Sequence, residues 1–241
     1  MTRIYHSSLL NLDQVIILDK IASHHLIRVL RARKGSEVTL FNGDGHEYPG
    51  EILDESPKHC QVRIKQKIKI DNESSLNITL LQGISRSDRM DTCIQKSIEL
   101  GVCNVTPLLC QRTGTNLKGE RAEKKLNHWQ QIAISACEQS GRCIVPVIQP
   151  AIDFMQGIQT IGNNHKLILA PGATNSISTI KNPEKNICIL IGPEGGFTLD
   201  EVQQATDNGF TSISLGPRIL RTETAGPACI AVIQALWGDL G

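Results

Sequence analysis

Aromatic residues are scarce in this 241-residue chain, with two Trp, two Tyr and four Phe making up 3% of it. A base-stacking platform built from aromatic side chains is therefore not expected. The eight cysteines, at 60, 93, 103, 110, 137, 143, 188 and 229, form no C-x-x-C pair. That spacing argues against a zinc knuckle or a dithiol redox motif and suits reduced thiols in the core. No His/Asp/Glu cluster has metal-ligand spacing, so no metal is expected. No apolar run reaches the roughly 18 residues of a membrane span, and the opening "MTRIYHSSLLNLDQ" lacks the layout of a secretion signal. A cytoplasmic protein is expected. A strong net charge is also missing: the formal value is +1, which does not advertise a nucleic-acid binder. Locally, Lys and Arg outnumber Asp and Glu over residues 1–70, and the reverse holds over 151–241. The two ends therefore present different surfaces.

What is present is 40% apolar and 20% charged residues, enough for a sizeable core in one large or two modest domains. Over the first seventy residues, "SEVTLFNGDGHEYPGEIL" reads as a hairpin turning at Asn42-Gly43-Asp44-Gly45. "HCQVRIKQKIKI" alternates Val62, Ile64 and Ile68 with Arg63, Lys65, Lys67 and Lys69, as a strand with one wet face does. These features predict a small all-β, barrel-like module over 1–72, bounded by the polar "DNESS" at 71–75.

Over 73–241 strands alternate with helices. "LNITLLQGI" predicts a strand, and Met90, Ile94 and Ile98 recur at helical spacing up to Gly101, a C-terminal stop. "NVTPLL" is a further strand, and Gly119 to Ser140 reads as a long amphipathic helix. "KLILAPG", "NICILIGPEGG" and "SISLGPRILRTETA" are three strands that each end in a Gly/Pro loop. Thr198 and Glu201 match a capping box, and Pro227 favours Thr224 over Thr222 as the cap of the last helix. This pattern is an α/β domain with a largely parallel sheet. Ligands of such sheets bind beyond the carboxyl ends of the strands, so three such loops can form one pocket.

A phosphate-bearing dinucleotide fits that pocket poorly. "GPEGGF" is not G-x-G-x-x-G, no G-x-x-x-x-G-K-[ST] exists in the chain, and Glu194 would repel a phosphate. A phosphate-free ligand with a positive centre, such as S-adenosylmethionine, meets no such objection.

"LIGPEGGFTLDE", followed about twenty residues on by "LGPRILRTETA", is similar to the paired C-terminal signature of the SPOUT methyltransferases. Within them it resembles the ribosomal RNA small subunit methyltransferase E family, which methylates N3 of a uridine in bacterial 16S ribosomal RNA. "HHLIRVLRARKG", "FNGDGHEYPGEI", "SDRMDTCIQKSIELGV", "EQSGRCIVPVI" and "WGDLG" resemble the family's other motifs in the expected order, over nearly the full length. The resemblance implies an N-terminal PUA-like β-barrel (1–72) that helps hold RNA. It implies a C-terminal SPOUT α/β domain with a trefoil knot (73–241) for cofactor binding, catalysis and homodimerisation. It also implies that Leu169, Ile191, Gly192, Pro193, Glu194, Gly195, Gly196, Leu215, Gly216, Ile219 and Leu220 surround S-adenosylmethionine, and it brings Glu138, Gln139, Ser140 and Arg142 near the pocket.

Methylating N3 requires loss of its proton, to a base or through an environment that favours the uracil anion. Arg221 is the candidate for stabilising charge on O2 or O4, and Glu223 for accepting the proton; a structural ion pair, or a Glu at a helix start, is the alternative. With few aromatics, RNA binding must rest on charge. Arg28, Arg31, Arg33, Arg86, Arg89, Arg112 and Arg142 are the expected contacts, each of which can equally be a solvated charge. The expected partner is 16S ribosomal RNA or the small ribosomal subunit. A 2′-O-ribose methyltransferase of the same superfamily and a non-catalytic RNA-binding assembly factor are the alternatives.

Overall fold

The computed structural model describes residues 2–114, 117–162, 165–181 and 185–241. The chain divides into two compact units, one of residues 1–73 with 137–145 and one of 74–136 with 146–241.

The first unit contains β1 (Arg3–Tyr5), β2 (Val15–Ile17), α1 (Lys20–His24), β3 (Glu37–Phe41), β4 (His46–Asp54), β5 (Gln61–Ile64) and β6 (Ile68–Lys69). Its sheet runs β1-β3-β4-β5-β2, with β6 on β4. The β3/β4 hairpin turns where the Asn-Gly-Asp-Gly signal lies. Asp44 fastens that turn by accepting from the His46 amide at 3.0 Å and from the Tyr48 hydroxyl at 2.5 Å. Ile4, Leu18, Leu26, Val38, Leu40, Tyr48, Ile52, Val62 and Ile64 form the core.

Two expectations for this unit are corrected. It is not all-β: α1 starts at Asp19, whose carboxylate accepts from the Ala22 amide at 2.8 Å, and it continues as a π-helical turn over His25–Val29. Ser23 donates to the Leu18 carbonyl and accepts from the Cys60 amide, so this segment is bound to the sheet. Burial of Leu26 and the Asp19 cap decide for helix here. Nor is 59–70 one strand. The amides of Lys65 and Gln66 both turn onto the Pro49 carbonyl, and Pro49 has no N–H to extend the ladder. The chain therefore leaves the β4 ladder after Ile64 and rejoins it only at His46–Glu47.

The second unit contains β7 (Asn77–Gly83), α2 (Ser87–Glu99), β8 (Val102–Leu109), α3 (Glu120–Ser140), β9 (Val147–Ile148), β10 (Ile152–Asp153), α4 (Phe154–Thr160), β11 (His165–Leu169), β12 (Asn175–Ser176), β13 (Asn186–Ile191), α5 (Leu199–Asp207), β14 (Thr211–Ser214) and α6 (Thr222–Trp237). The last turn of α3 groups with the first unit. The strands form one parallel sheet in the order β10-β8-β7-β13-β11-β14-β12, with β9 beside β8. Leu81, Leu108, Phe154, Ile158, Ile168, Cys188, Leu190 and Phe210 form a core cluster within it. Gln234, fully buried on α6, donates to the Leu100 carbonyl and accepts from the Ser74 hydroxyl, which fastens α6 to the end of α2. Contrary to the expectation for Thr224, α6 starts at Thr222 with Arg221 as its cap residue, and Pro227 lies inside the helix. The Thr222 hydroxyl is committed to other partners, described below, and the missing Pro227 N–H is tolerated because tertiary contacts hold the helix start.

Arg142 also departs from expectation. Its side chain is only 5% exposed and forms a two-pronged ion pair with Glu73, at 2.6 and 3.0 Å. Its carbonyl accepts from Arg3 and the Gly141 carbonyl from Asn72. Glu138, whose pKa burial raises, accepts from the Tyr5 amide. Arg142 is thus a structural residue of the first unit and not a surface contact for phosphate. Removing one partner of a buried pair strands the other charge. Arg142→Ala should therefore cost about 3 kcal/mol in urea unfolding, with Arg142→Lys intermediate because it loses the planar fork, and neither should change the salt slope of RNA affinity.

Candidate active site

β13, β11 and β14 lie side by side, and the loops leaving their carboxyl ends enclose one cavity of about 760 Å³. All the residues expected to surround the cofactor line it: Leu169 after β11; Ile191, Gly192, Pro193, Glu194, Gly195 and Gly196 after β13; Leu215, Gly216, Ile219 and Leu220 after β14. Arg89, Arg112, Arg221, Thr222 and Ala225 reach it as well. Of the strands that deliver these loops, β13 is buried from Ile187 to Ile191, whereas β11 is buried at Leu167 and Ile168 and β14 at Ile213.

The central loop is a tight turn. The Gly196 amide donates to the Pro193 carbonyl at 2.8 Å, and Gly196 has φ +67°, where a side chain on an L-residue is strained. On β7, a Cβ at Gly83 would lie 2.5 Å from the Pro193 nitrogen. Only glycine permits that approach.

Hydrogen bonds and ion pairs to neighbouring elements hold this loop and its flanks. Gln82, fully buried on β7, donates through Nε2 to Thr222 Oγ1 at 2.9 Å and to the Gly83 carbonyl at 3.0 Å, with the Gly192 carbonyl at 3.4 Å. The Thr222 hydroxyl donates onward to the Gly192 carbonyl at 2.8 Å. The Cys93 thiol donates to Gln82 Oε1 at 3.1 Å; burial pushes this thiol up to about 12, so it remains a protonated donor. Arg112 donates to the carbonyls of Gly195 and Phe197 at 2.9 and 3.3 Å. Glu201, 2% exposed, closes the expected capping box with Thr198 and accepts from the Gln111 amide at 2.8 Å. Glu194, finally, accepts from the Arg86 amide at 3.2 Å and faces the Arg89 guanidinium at 3.1 Å. Its charge is answered within the protein.

Arg89 and Arg112, expected as phosphate contacts, therefore have donors engaged in this loop. Arg86, with its side chain 83% exposed, keeps Glu194 at 3.8 Å. Arg221 is 77% exposed at the cavity rim and lies 4.0 Å from Glu223. In the first unit, Arg28, Arg31 and Arg33 are exposed. Arg28 shares a separate cleft with Lys20, His24, His25 and Lys58, and Arg33 sits 3.7 Å from Glu55. The sequence offers Thr222 only as a possible helix cap and does not single out Gln82; the one available signal for this network is an amide inside the apolar strand "LNITLLQGI".

The lining suits a phosphate-free nucleoside ligand. It offers apolar walls in Leu169, Ile191, Leu215 and Leu220 together with the polar backbone of tight turns. Among the described residues, no group of three or more His, Cys, Asp or Glu could hold a metal, and no helix is long and apolar enough to cross a membrane.

Residues 72–234 match the RNA methyltransferase domain family and residues 18–65 the RNA methyltransferase PUA domain family. The ribosomal RNA small subunit methyltransferase E of Buchnera aphidicola (subsp. Schizaphis graminum) is 39% identical over 99% of this chain and 97% of its own. That of Bacillus subtilis is 31% identical over 88% and 86%. The crystal structure of the Neisseria gonorrhoeae ribosomal RNA small subunit methyltransferase E bound to S-adenosyl methionine superposes with TM-score 0.94 and 40% identity, covering all of both chains. A putative methyltransferase of Legionella pneumophila in complex with the same cofactor gives TM-score 0.96 and 38% identity over 99% of each chain.

Gln82→Leu keeps the approximate volume but leaves the Cys93 thiol without its acceptor and removes the Gln82 donor from the Thr222 hydroxyl and the Gly83 carbonyl, while Thr222 still donates to Gly192. It should destabilise the protein by about 2 kcal/mol in chemical unfolding. A stability equal to wild type would show that these groups find other partners.

Proposed function

Because the chain belongs to the ribosomal RNA small subunit methyltransferase E family, we propose that it transfers the methyl group of S-adenosylmethionine to N3 of a specific uridine in bacterial 16S ribosomal RNA. The observation that carries this proposal is the cavity at three adjacent strand ends, with its glycine turn held by Gln82, Thr222 and Arg112. The bound cofactor supplies an electrophilic methyl on a sulfonium. Leu169, the turn Ile191 to Gly196, Leu215, Gly216, Ile219 and Leu220 hold it, through apolar contact and turn backbone. Because the turn is rigid before binding, little ordering cost remains. Arg221, on the rim, offers a planar cation to the uracil oxygens as N3 loses its proton.

The rest of the chain is assigned in keeping with this. Residues 1–72 form a PUA-like barrel that holds RNA through Arg28, Arg31 and Arg33, with Arg86 adding a contact from 73–241. The second domain is a SPOUT domain with a trefoil knot. In support, β13 lies between β7 and β11, and α6, which follows β14, packs back on α2. It also carries the homodimer contacts, for which the exposed Leu236 and Leu240 are candidates. The enzyme acts in the cytoplasm on the small ribosomal subunit or its RNA, and no metal is assigned to it.

Incubation with small subunits and labelled cofactor, followed by mass mapping of nucleosides, should give N3-methyluridine at one position; a 2′-O-methyl product or none would overturn the proposal. Gly196→Val should weaken cofactor binding in calorimetry at least tenfold, since the φ +67° backbone costs a β-branched residue about 1–2 kcal/mol and its side chain enters the cavity. Arg31→Ala with Arg33→Ala should lower the slope of log RNA affinity against log salt by about one unit per lost phosphate contact, with cofactor affinity unchanged.

A further inference from the structure

Charged side chains alternate in sign in a row beside the cavity, of which Glu194, Arg89 and Arg221 line it. Arg86 stands 3.8 Å from Glu194, Glu194 3.1 Å from Arg89, Arg89 3.9 Å from Glu223, and Glu223 4.0 Å from Arg221. Both guanidinia beside Glu223 approach the same oxygen, Oε1. The other oxygen, Oε2, is buried and has no hydrogen-bond partner among the described residues. Arg89 and Arg221 line the cavity, whereas Glu223 does not.

A general base needs an oxygen within about 2.6–3.2 Å of the proton it takes. Here Oε1 lies between two cations and Oε2 is closed off. We infer that Glu223 is a positioning residue: it holds Arg89 and Arg221 side by side at the cavity mouth, and that pair, not a carboxylate base, makes the uracil anion accessible. The inference rests on the proposed N3 methylation. N3–H gives its proton to hydroxide, forming water, and the electron pair left on N3 is delocalised over O2 and O4. Two planar cations match that charge distribution. Without a carboxylate between them, they would repel one another and separate. Arg89, tied to Glu194 on the glycine turn, also links the cofactor loop to this pair.

The test uses the full-length protein with S-adenosylhomocysteine and two RNA fragments, one carrying uridine at the target position and one 5-fluorouridine, whose N3–H is more acidic. Wild type should come to prefer the fluorinated RNA as pH rises through its ionisation. Arg221→Ala and Arg89→Met should each reduce that preference roughly tenfold or more, the scale of one hydrogen bond to a charged group. Glu223→Gln, which keeps shape and an acceptor oxygen, should retain part of the preference. In single-turnover methylation it should keep the wild-type rise of rate with pH and lose less than about 10², the lower bound for removing a general base. Loss of that pH dependence in Glu223→Gln, with the anion preference intact, would overturn the positioning role and restore Glu223 as the base. A wild type with no preference at any pH would instead count against N3 as the reacting atom, and so against the proposed function itself.

Discussion

Three strand ends make a pocket only if their loops are kept from collapsing onto one another, and here a buried amide supplies that constraint. Gln82 sits at the end of β7, bonded to the start of α6 through Thr222 and in reach of the Gly192 carbonyl. Thr222 itself donates to Gly192. The glycine turn and the first residue of α6 are therefore fixed by one small network, and Cys93 from α2 satisfies the amide's oxygen. Gln82, Cys93 and Thr222 are buried, where an unmade bond is expensive. The Pro193 approach to Gly83 follows from it, because the turn cannot move outward without breaking the Gly192 contact.

A glutamate in a glycine-rich turn looks misplaced while the turn is considered alone. In the folded protein Glu194 points to the end of β7 and the start of α2, where the Arg86 amide and the Arg89 guanidinium receive it. It functions as a fastener for the turn, and its charge is compensated before any ligand enters. Arg112 does comparable work on the opposite side of the turn by binding the carbonyls of Gly195 and Phe197. Guanidinium groups that sequence reasoning assigns to phosphate are thus partly occupied with the backbone of the loop.

What the sequence made legible was local or periodic. The β3/β4 hairpin is encoded in Asn42-Gly43-Asp44-Gly45, the start of α5 in Thr198 and Glu201, and the pocket in three strands that each end in a Gly/Pro loop. What it hid depends on partners distant in the chain. The helical turn after Asp19 is decided by where Leu26 and Ser23 pack. The break after Ile64 is decided by a proline on the neighbouring strand. The start of α6 at Thr222 is decided by Gln82, 140 positions earlier, and Arg142 by its pairing with Glu73. The order of β13 between β7 and β11 lies beyond any local signal, since each strand reads alike as a buried apolar run.

The alternation along the rim resolves a conflict built into the chemistry. A cationic cofactor is best served by an uncharged or slightly negative pocket, while a uracil that must lose a proton is best served by cations a few ångströms away. Arginines alone would repel both one another and the sulfonium: at 4 Å and an effective dielectric near 20, one unit pair amounts to about 4 kcal/mol. Glu194 and Glu223, placed between Arg86, Arg89 and Arg221, cancel most of that repulsion at short range. The ends of the row, Arg86 and Arg221, are exposed to solvent. The carboxylates make it possible for arginines to sit at this rim at all, and that requirement is independent of whether either one ever touches a proton.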